Sequence, residues 1–171
     1  MNKEKYLSLR EKYLPEKLEI IFVLESPPAS GLYFYDENGK TSEPLFAAMM
    51  KLLNFSAKNK KEGLELFQKE GYIIVDSTYE PVNRLKGRQR NDVILRDFDA
   101  LIEDLEGLNP GKRVPLVLVK ANICRLLEPR LKRHGFNVKN NGTVVPFPST
   151  GQQKKFHEEI GKCHRHEKSF A

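Results

Sequence analysis

The sequence predicts an α/β protein in which a central, mostly parallel four-stranded sheet lies between two layers of helices, a three-layer α/β/α architecture. Short apolar runs rich in β-branched residues alternate with amphipathic segments of helical length, which is the pattern of a parallel sheet covered on both faces. The length of 171 residues suits a single domain, 1–171, and is enough to bury a core without metal or disulfide support.

In the N-terminal half, two strands are expected among three helices. The apolar run at 18–24 has the length and β-branched content of a buried strand, and the run at 72–75 has the same character. Ser42, with Pro44 in the first turn, predicts the start of the second helix. The three helices are expected at about 3–14, 42–52 and 60–70, and the last of them ends at Gly71.

In the C-terminal half, apolar runs predict two more strands, at 114–119 and 144–145. A helix capped by Asn91 or Asp92 is expected to turn one apolar stripe towards the core. That stripe consists of Ile94, Phe98, Leu101, Ile102 and Leu105. Two further helices are expected at about 122–133 and 152–166.

Three loops of unusual composition follow the predicted strands, at 25–35, 76–83 and 146–153. In open parallel sheets, ligands bind in the crevice beyond the carboxyl ends of the strands. We therefore expect the three loops to meet at one site.

Glu25 is the candidate catalytic residue. It directly follows a buried strand, and Pro27 and Pro28 stiffen the loop behind it. A general base or a group that holds water must be fixed in this way within hydrogen-bonding reach of its target. The alternative is a structural carboxylate that accepts hydrogen bonds from loop amides or caps a helix.

Tyr33, Phe34 and Tyr35 are candidates for contact with a base or sugar ring, where stacking contributes about 1–3 kcal/mol per base. Alternation along the segment would bury some of these rings and expose others, so a core wedge with one surface tyrosine is equally compatible. Asp76 ends the second strand, where its oxygens would read the polar edge of a ligand or cap a turn.

Two segments suit phosphate binding. The stretch from Arg84 to Arg90 carries four basic side chains, and the segment after Pro148 opens a helix whose free amides would favour an anion. Solvated charges and an ordinary helix cap are the alternatives. The candidate phosphate or DNA contacts are Ser26, Arg84, Arg88, Ser149, Thr150, Gln152 and Lys154.

The composition narrows the class of protein. The net charge is +6, and residues 111–171 carry 13 basic against 4 acidic side chains, which suits a polyanionic partner or simply solubility. No apolar run approaches the roughly 20 residues of a membrane helix, and the charged N-terminus lacks an apolar leader. Two cysteines are too few for a disulfide framework, so we expect a reduced, cytoplasmic protein without a membrane anchor.

No cofactor motif is found. Gly39-Lys40-Thr41 lacks the glycine that a phosphate-binding loop needs, because Phe34 stands in its place, and no GxGxxG follows a strand. Cys163, His164 and His166 could form a metal cluster, but they lie in a basic tail without a matching second set of ligands, which favours solvated tail residues. We expect neither a metal nor an organic cofactor.

The three loops together resemble those of the uracil-DNA glycosylase superfamily. Leu24-Glu25-Ser26-Pro27-Pro28 is similar to that family's Gly-Glu-x-Pro-Gly motif, with Glu25 and Pro27 matching and both glycines missing. Phe147-Pro148-Ser149 is similar to the family's His-Pro-Ser motif, with the histidine replaced.

The resemblance implies a uracil-DNA glycosylase-like fold and a DNA glycosylase that acts on, or binds, a flipped damaged base. Glu25 would then position the attacking water, Phe34 or Tyr35 would stack on the base, and Asp76 would contact its edge. The missing histidine removes the donor that would stabilise a uracil anion, and the two cysteines exclude the iron–sulfur branch of the family. A different damaged base remains compatible, because stacking and edge contacts also hold a flipped base.

Two other functions fit the sequence, so whether the protein is an enzyme stays open at this point. One is a non-catalytic nucleic-acid-binding module on the same fold, and the other is a small hydrolase of nucleosides or nucleotides. A module needs no fixed carboxylate at Glu25, whereas both enzymes do. The expected partner is nucleic acid, DNA before RNA, with no obligate protein partner.

Overall fold

The computed structural model describes residues 1–168, and their side chains as far as Cys163. This part of the chain forms three strands and seven helices. The strands are β1 (Ile20–Leu24), β2 (Tyr72–Asp76) and β3 (Leu116–Leu118). The helices are α1 (Lys3–Glu11), α2 (Pro44–Leu52), α3 (Lys60–Lys69), α4 (Gly87–Arg96), α5 (Phe98–Leu108), α6 (Ala121–Arg133) and α7 (Gln153–Lys168).

The strands form a parallel sheet in the order β2-β1-β3, which confirms the predicted α/β class. The register pairs Ile20 with Tyr72 and Leu24 with Asp76, so β1 and β2 end side by side. Every residue of the three strands is buried. Burial on both faces explains why these strands read as continuous apolar runs rather than as alternating patterns.

The expected fourth strand at 144–145 is not formed, and the sheet of the described residues has three strands instead of four. Next to β3 the chain makes a single parallel bridge, between Leu116 and Val138. One step further, the side chain of Asn140 replaces backbone pairing. Its Oδ1 accepts from the amide of Leu118 at 2.8 Å, and its Nδ2 donates to the Leu118 carbonyl at 3.0 Å. The Asn140 side chain thus makes the hydrogen bonds with the Leu118 backbone that a fourth strand would make.

Aromatic packing fixes the segment after β1 against one face of the sheet. Phe22 in β1 lies 6.2 Å from Phe67 of α3, measured between ring centroids, and 5.6 Å from Tyr72 of β2. Phe34 packs edge-on against Phe67 at 5.1 Å and lies 6.0 Å from Phe46 of α2. The loop that leaves β1 therefore returns into the core and is held between the sheet and two helices.

The single helix predicted from Asn91 or Asp92 onwards is two helices, α4 and α5, which meet at Asp97. Asp97 accepts a hydrogen bond from the Thr78 hydroxyl at 2.6 Å and pairs with Arg96 at 2.9 Å. Asp97 thus lies between the two helices, after the end of α4 and before the start of α5. The first of them, α4, begins earlier than expected, at Gly87. Within residues 1–168, no helix combines the length and the apolar character needed to cross a membrane.

Asn140→Ala tests whether this side chain completes the sheet edge. We expect a loss of roughly 2–3 kcal/mol in the free energy of unfolding, because the buried amide of Leu118 is left without a partner. Urea unfolding with a shared m value measures the change. The exposed Asn38→Ala is the matched control and should change stability by less than about 0.5 kcal/mol. A loss in Asn140→Ala no larger than in the control would contradict this role.

Candidate functional site

A cavity of about 310 Å³ lies at the carboxyl end of the sheet. In the sheet, β2 lies next to β1 on one side and β3 lies next to it on the other. The strand order therefore reverses at β1, and its carboxyl end is a topological switch point. Ligands of open α/β sheets bind at such points. The cavity is lined by residues that follow all three strands, among them Glu25, Asp76 and Lys120, and by Phe147 from the last of the three predicted loops.

Glu25 is fixed in this cavity by side chains from two other parts of the chain. Its carboxylate is 5% exposed, and Lys120 donates to Oε1 at 2.6 Å while Asn122 donates to Oε2 at 2.6 Å. The Nε of Arg90 lies 3.7 Å from Oε2. Side chains, one cationic and one neutral amide, rather than backbone amides of the loop or of a helix N-terminus, thus donate to the group. Each oxygen can accept a further hydrogen bond, which leaves the carboxylate able to bind a water.

Lys120 owes its position to an unusual backbone conformation. It lies two residues after the end of β3 and has φ +90°, in a region that residues other than glycine rarely adopt. Its amide donates to the Val145 carbonyl at 2.7 Å, which holds the turn in place. Backbone strain of this kind persists where the surrounding structure enforces it, commonly at functional sites. In this conformation the Lys120 side chain reaches Glu25 with its ammonium group.

Sequence reasoning missed Lys120 and Asn122. Both follow the predicted strand at 114–119, and the rule that selected Glu25 and Asp76, a polar side chain directly after a buried strand, selects Lys120 equally well. Asn122 lies in the first turn of α6, and its Oδ1 is buried without a partner in the described residues.

Asp76 is the second buried carboxyl of the cavity, and it is 5% exposed. Burial raises the pKa of Asp76 to about 7, the neighbouring carboxylates of Asp104 and Glu25 add to the rise, and Arg10 opposes it. None of the described residues donates a hydrogen bond to its carboxyl oxygens. The two carboxyls of the cavity therefore differ in kind, because Glu25 is paired with cations and Asp76 is not.

Arg10 makes no hydrogen bond to Asp76 among the described residues; its two terminal nitrogens bind other groups, and its Nε is buried without a partner there. Its guanidinium is 3% exposed and binds both oxygens of Asp104 at 2.8 Å, and it also donates to the Tyr79 hydroxyl at 3.0 Å. A bidentate pair of this geometry is among the strongest hydrogen-bonded contacts in proteins. Asp76 consequently keeps free acceptor capacity beside a committed cation.

The three predicted aromatic residues are all buried, which corrects the expectation that some would be exposed. Tyr33 and Phe34 line the cavity, together with Phe46. Tyr35 does not line it. Its hydroxyl accepts a hydrogen bond from the amide of Ile74 at 2.9 Å in the core. The segment thus provides two rings to the cavity wall and one to the hydrophobic core.

A buried ion pair anchors this aromatic wall. Lys60, whose side chain is fully buried, donates to the Tyr33 carbonyl at 2.9 Å and to Oε1 of Glu43 at 3.0 Å. Burial lowers the pKa of Lys60, although the contact with Glu43 favours its charged form. Because Glu43 precedes α2 and also lines the cavity, the pair joins the aromatic segment to that helix.

The predicted phosphate contacts separate into two groups. Ser26 lines the cavity, and its hydroxyl accepts a hydrogen bond from the Val82 amide at 3.3 Å. The other six are exposed and lie outside the cavity lining. These are Arg84, Arg88, Ser149, Thr150, Gln152 and Lys154. Of the last predicted loop, the cavity receives Phe147 instead.

A basic rim lies near the cavity. Asn83 lines the cavity and accepts a hydrogen bond from the Ala29 amide at 2.9 Å, which connects the first two loops. The exposed side chains of Arg84 and Arg88 follow, and we call these two residues the basic rim. Arg88 lies in the first turn of α4, which has no acidic side chain. Cations there oppose the helix dipole, so helix stability does not account for them.

No group of three or more His, Cys, Asp and Glu side chains that could hold a metal ion is found among the residues described. Cys163 is buried at the end of this part of the chain. The side chains of His164 and His166 lie outside the described residues. The expectation of a protein without a metal or an organic cofactor stays a prediction.

Comparisons with known proteins assign no family. No protein-family model matches the chain, and no curated protein matches its sequence. The function is therefore argued from the cavity itself.

Asp76→Asn tests the electrostatic cost of the unpaired carboxyl. The pKa of Asp76 is higher in the folded chain than its ordinary value, so the folded state binds a proton more tightly, and stability falls as the pH rises from about 4 to 7. The amide removes this cost. We expect Asp76→Asn to unfold at a higher urea concentration than the parent at pH 8. Its free energy of unfolding should be larger by at least ~1.4 kcal/mol, the value of one pKa unit. At pH 4 the gain should be small.

The exposed Asp92→Asn is the matched control, because it removes one carboxylate from the surface of α4. It should shift stability by a similar small amount at both pH values. A gain in Asp76→Asn that is the same at pH 4 and pH 8 would show that the Asp76 carboxyl is not the cause.

Proposed function

We propose that the protein is a DNA glycosylase-like enzyme that holds a flipped, damaged base in the cavity and hydrolyses its bond to the sugar. The observation that carries this proposal is the fixed carboxylate of Glu25 in a cavity walled by aromatic rings at the topological switch point. The uracil-DNA glycosylase-like fold belongs to the proposal. In support of it, the segment around Val138 and Asn140 lies along β3 in the place that a fourth strand would take.

The shape and lining of the cavity suit a nucleobase. Its volume of about 310 Å³ is at the small end of the range for ligand pockets, which fits one ring system with its sugar rather than a long chain. Tyr33, Phe34 and Phe147 offer ring faces or edges, and such contacts hold a base without regard to its sequence context. Asp76 supplies acceptor oxygens for the edge of the base.

Glu25 is the group that acts on the reacting atoms. Glycosidic bonds break through a transition state in which the sugar carries positive charge, and a fixed carboxylate beside it stabilises that charge. In the proposed step, the bond between C1′ and the base nitrogen breaks and its electron pair stays with the base. The oxygen of a water bound to Glu25 forms the new bond to C1′, and its proton passes to the carboxylate. Lys120 and Asn122 hold Glu25 in the required orientation.

The surface around the cavity supports a polyanionic substrate. The basic rim carries two exposed arginines. Two exposed leucines lie in loops nearby in the chain, Leu32 after β1 and Leu85 after β2. Ser149 and Lys154 lie at the start of α7, where helix amides and a cation favour a phosphate. In this proposal the enzyme acts in DNA repair in the cytoplasm.

A small nucleoside hydrolase is the second candidate, and one observation favours it. Most of the predicted phosphate contacts lie outside the cavity, so the cavity itself holds a base and sugar without help from the backbone phosphates. This candidate predicts hydrolysis of free nucleosides. A non-catalytic module is less compatible, because three side chains converge on Glu25 although binding alone does not need a fixed carboxylate.

Glu25→Gln tests the proposed chemistry. Duplex and single-stranded oligonucleotides with uracil, hypoxanthine, xanthine or an alkylated base are incubated with the protein, and abasic sites are counted after alkaline cleavage. We expect product from at least one substrate, and a decrease of about 10²-fold or more in Glu25→Gln, because the amide carries no charge to stabilise the cationic sugar. DNA affinity should change by less than threefold.

The control is Glu19→Gln, which replaces an exposed carboxylate before the amino end of β1. It should react at the parent rate. Absence of product on every oligonucleotide would overturn the glycosylase proposal, and release from free nucleosides alone would favour the second candidate. Full activity of Glu25→Gln would overturn the role of Glu25.

Replacing the basic rim tests the DNA-binding surface. The double variant Arg84→Ala/Arg88→Ala should bind duplex DNA more weakly, and the slope of log K against log salt should become shallower by about 2, since each phosphate contact contributes about 0.9. Fluorescence anisotropy over a salt series measures this slope. Lys12→Ala/Lys17→Ala removes two exposed lysines that precede the amino end of β1 and should leave the slope unchanged. Equal slopes in the two double variants would show that the rim does not contact DNA.

A further inference from the structure

Asp76 is a buried acceptor with no donor. Its side chain is 5% exposed, lines the cavity, and receives no hydrogen bond on its carboxyl oxygens from the described residues. Burying a carboxyl without partners is costly, and such groups are uncommon in folded proteins. A ligand that brought donors into the cavity would remove this cost.

The cations near Asp76 are committed elsewhere. Arg10 binds Asp104, and Lys120 binds Glu25 on the other side of the cavity. Lys60 donates to Glu43 and to the backbone behind the aromatic wall. None of the described residues donates to the Asp76 oxygens, which can therefore accept hydrogen bonds from an occupant of the cavity that Asp76 lines.

We propose that Asp76 selects a base with two adjacent N–H donors on one edge, the ring N1–H and the 2-amino group of a guanine-type base, and that the substrate is a guanine alkylated at N7. This inference rests on the proposed function and names its substrate. A carboxylate accepts two parallel hydrogen bonds from paired donors, as it does from arginine. Hypoxanthine has a C–H in place of the 2-amino group on that edge, and uracil has a carbonyl oxygen on each side of its N3–H, so neither base gives a carboxylate two parallel hydrogen bonds.

The charges of the cavity explain why the base should be alkylated. A normal base leaves with negative charge, which the carboxyl of Asp76 disfavours, whereas the charge of Glu25 is balanced by Lys120. A guanine alkylated at N7 is a cation while it is attached to the sugar. When the bond between C1′ and N9 breaks, its electron pair neutralises the base, so the leaving group is uncharged. Water supplies the oxygen that bonds to C1′, and Glu25 takes its proton.

The test compares bases that differ only in the 2-amino group. One duplex carries N7-methylguanine and a second carries N7-methylhypoxanthine at the same position, and the released bases are quantified by chromatography. We expect the parent protein to release N7-methylguanine at least tenfold faster, because the site loses a hydrogen bond to its buried carboxyl with the other base. Asp76→Asn, which offers one acceptor and one donor, should reduce this ratio to threefold or less.

A binding measurement keeps the inference separate from the catalytic proposal. Calorimetry at pH 8 compares guanosine with inosine, which lacks the 2-amino group, for the parent and for Asp76→Asn. We expect guanosine to bind the parent at least tenfold more tightly, and the preference to be lost in Asp76→Asn. Asp92→Asn, the exposed control on α4, should keep the preference of the parent.

The outcomes are distinct. Release of uracil or hypoxanthine in preference to N7-methylguanine overturns the inference and leaves the proposed glycosylase intact. A guanosine preference without release of any base supports the role of Asp76 and overturns the proposed reaction. Equal affinity for guanosine and inosine, or a preference that survives in Asp76→Asn, overturns the role of Asp76 in selecting the base.

Discussion

The contact between Glu25 and Lys120 is the interaction on which the site depends. It joins the carboxyl ends of β1 and β3 with a 2.6 Å hydrogen bond between charged groups. These are neighbouring strands at the topological switch point of the sheet. A carboxylate that is 5% exposed is costly unless a cation and further donors accompany it. Asn122 and Arg90 complete that set, so the site is held by residues from three separate segments of the chain.

The same edge of the sheet carries features that lower stability. Lys120 has a backbone conformation that costs of order 1–3 kcal/mol, and the buried carboxyl of Asp76 receives no hydrogen bond from the part of the chain that the structure describes. The aromatic core beneath them compensates, since Phe22, Phe34 and Phe67 pack the loop after β1 against the sheet. Costly groups that collect at one cavity while the rest of the core is well packed are typical of a functional site rather than of a poor fold.

How much the sequence predicts depends on whether backbone or side chains make the structure. Buried strands are visible as apolar runs, so β1, β2 and the positions of Glu25 and Asp76 at their ends were predicted correctly. What lies along the edge of β3 was not predicted correctly. Asn140 pairs with β3 through its side chain, and such a contact produces no periodic pattern in the sequence. Three adjacent aromatic residues likewise contain no sign that all three rings are buried, because their burial depends on contacts with distant residues such as Phe67.

The proposed function also gives a reason for the placement of charge inside and outside the cavity, because that placement would orient a polyanionic ligand. The described lining holds three carboxyls, Glu25, Glu43 and Asp76, against one cation, Lys120, and this acidic excess disfavours a phosphate, whereas the basic rim outside attracts one. A nucleotide therefore gains most when its phosphates stay at the rim and its uncharged or cationic part enters. Since aromatic rings line part of the cavity wall, the proposed function has the base enter. The separation of charge thus favours a flipped base on a strand held outside, and it disfavours a free nucleotide whose phosphate would have to enter with it.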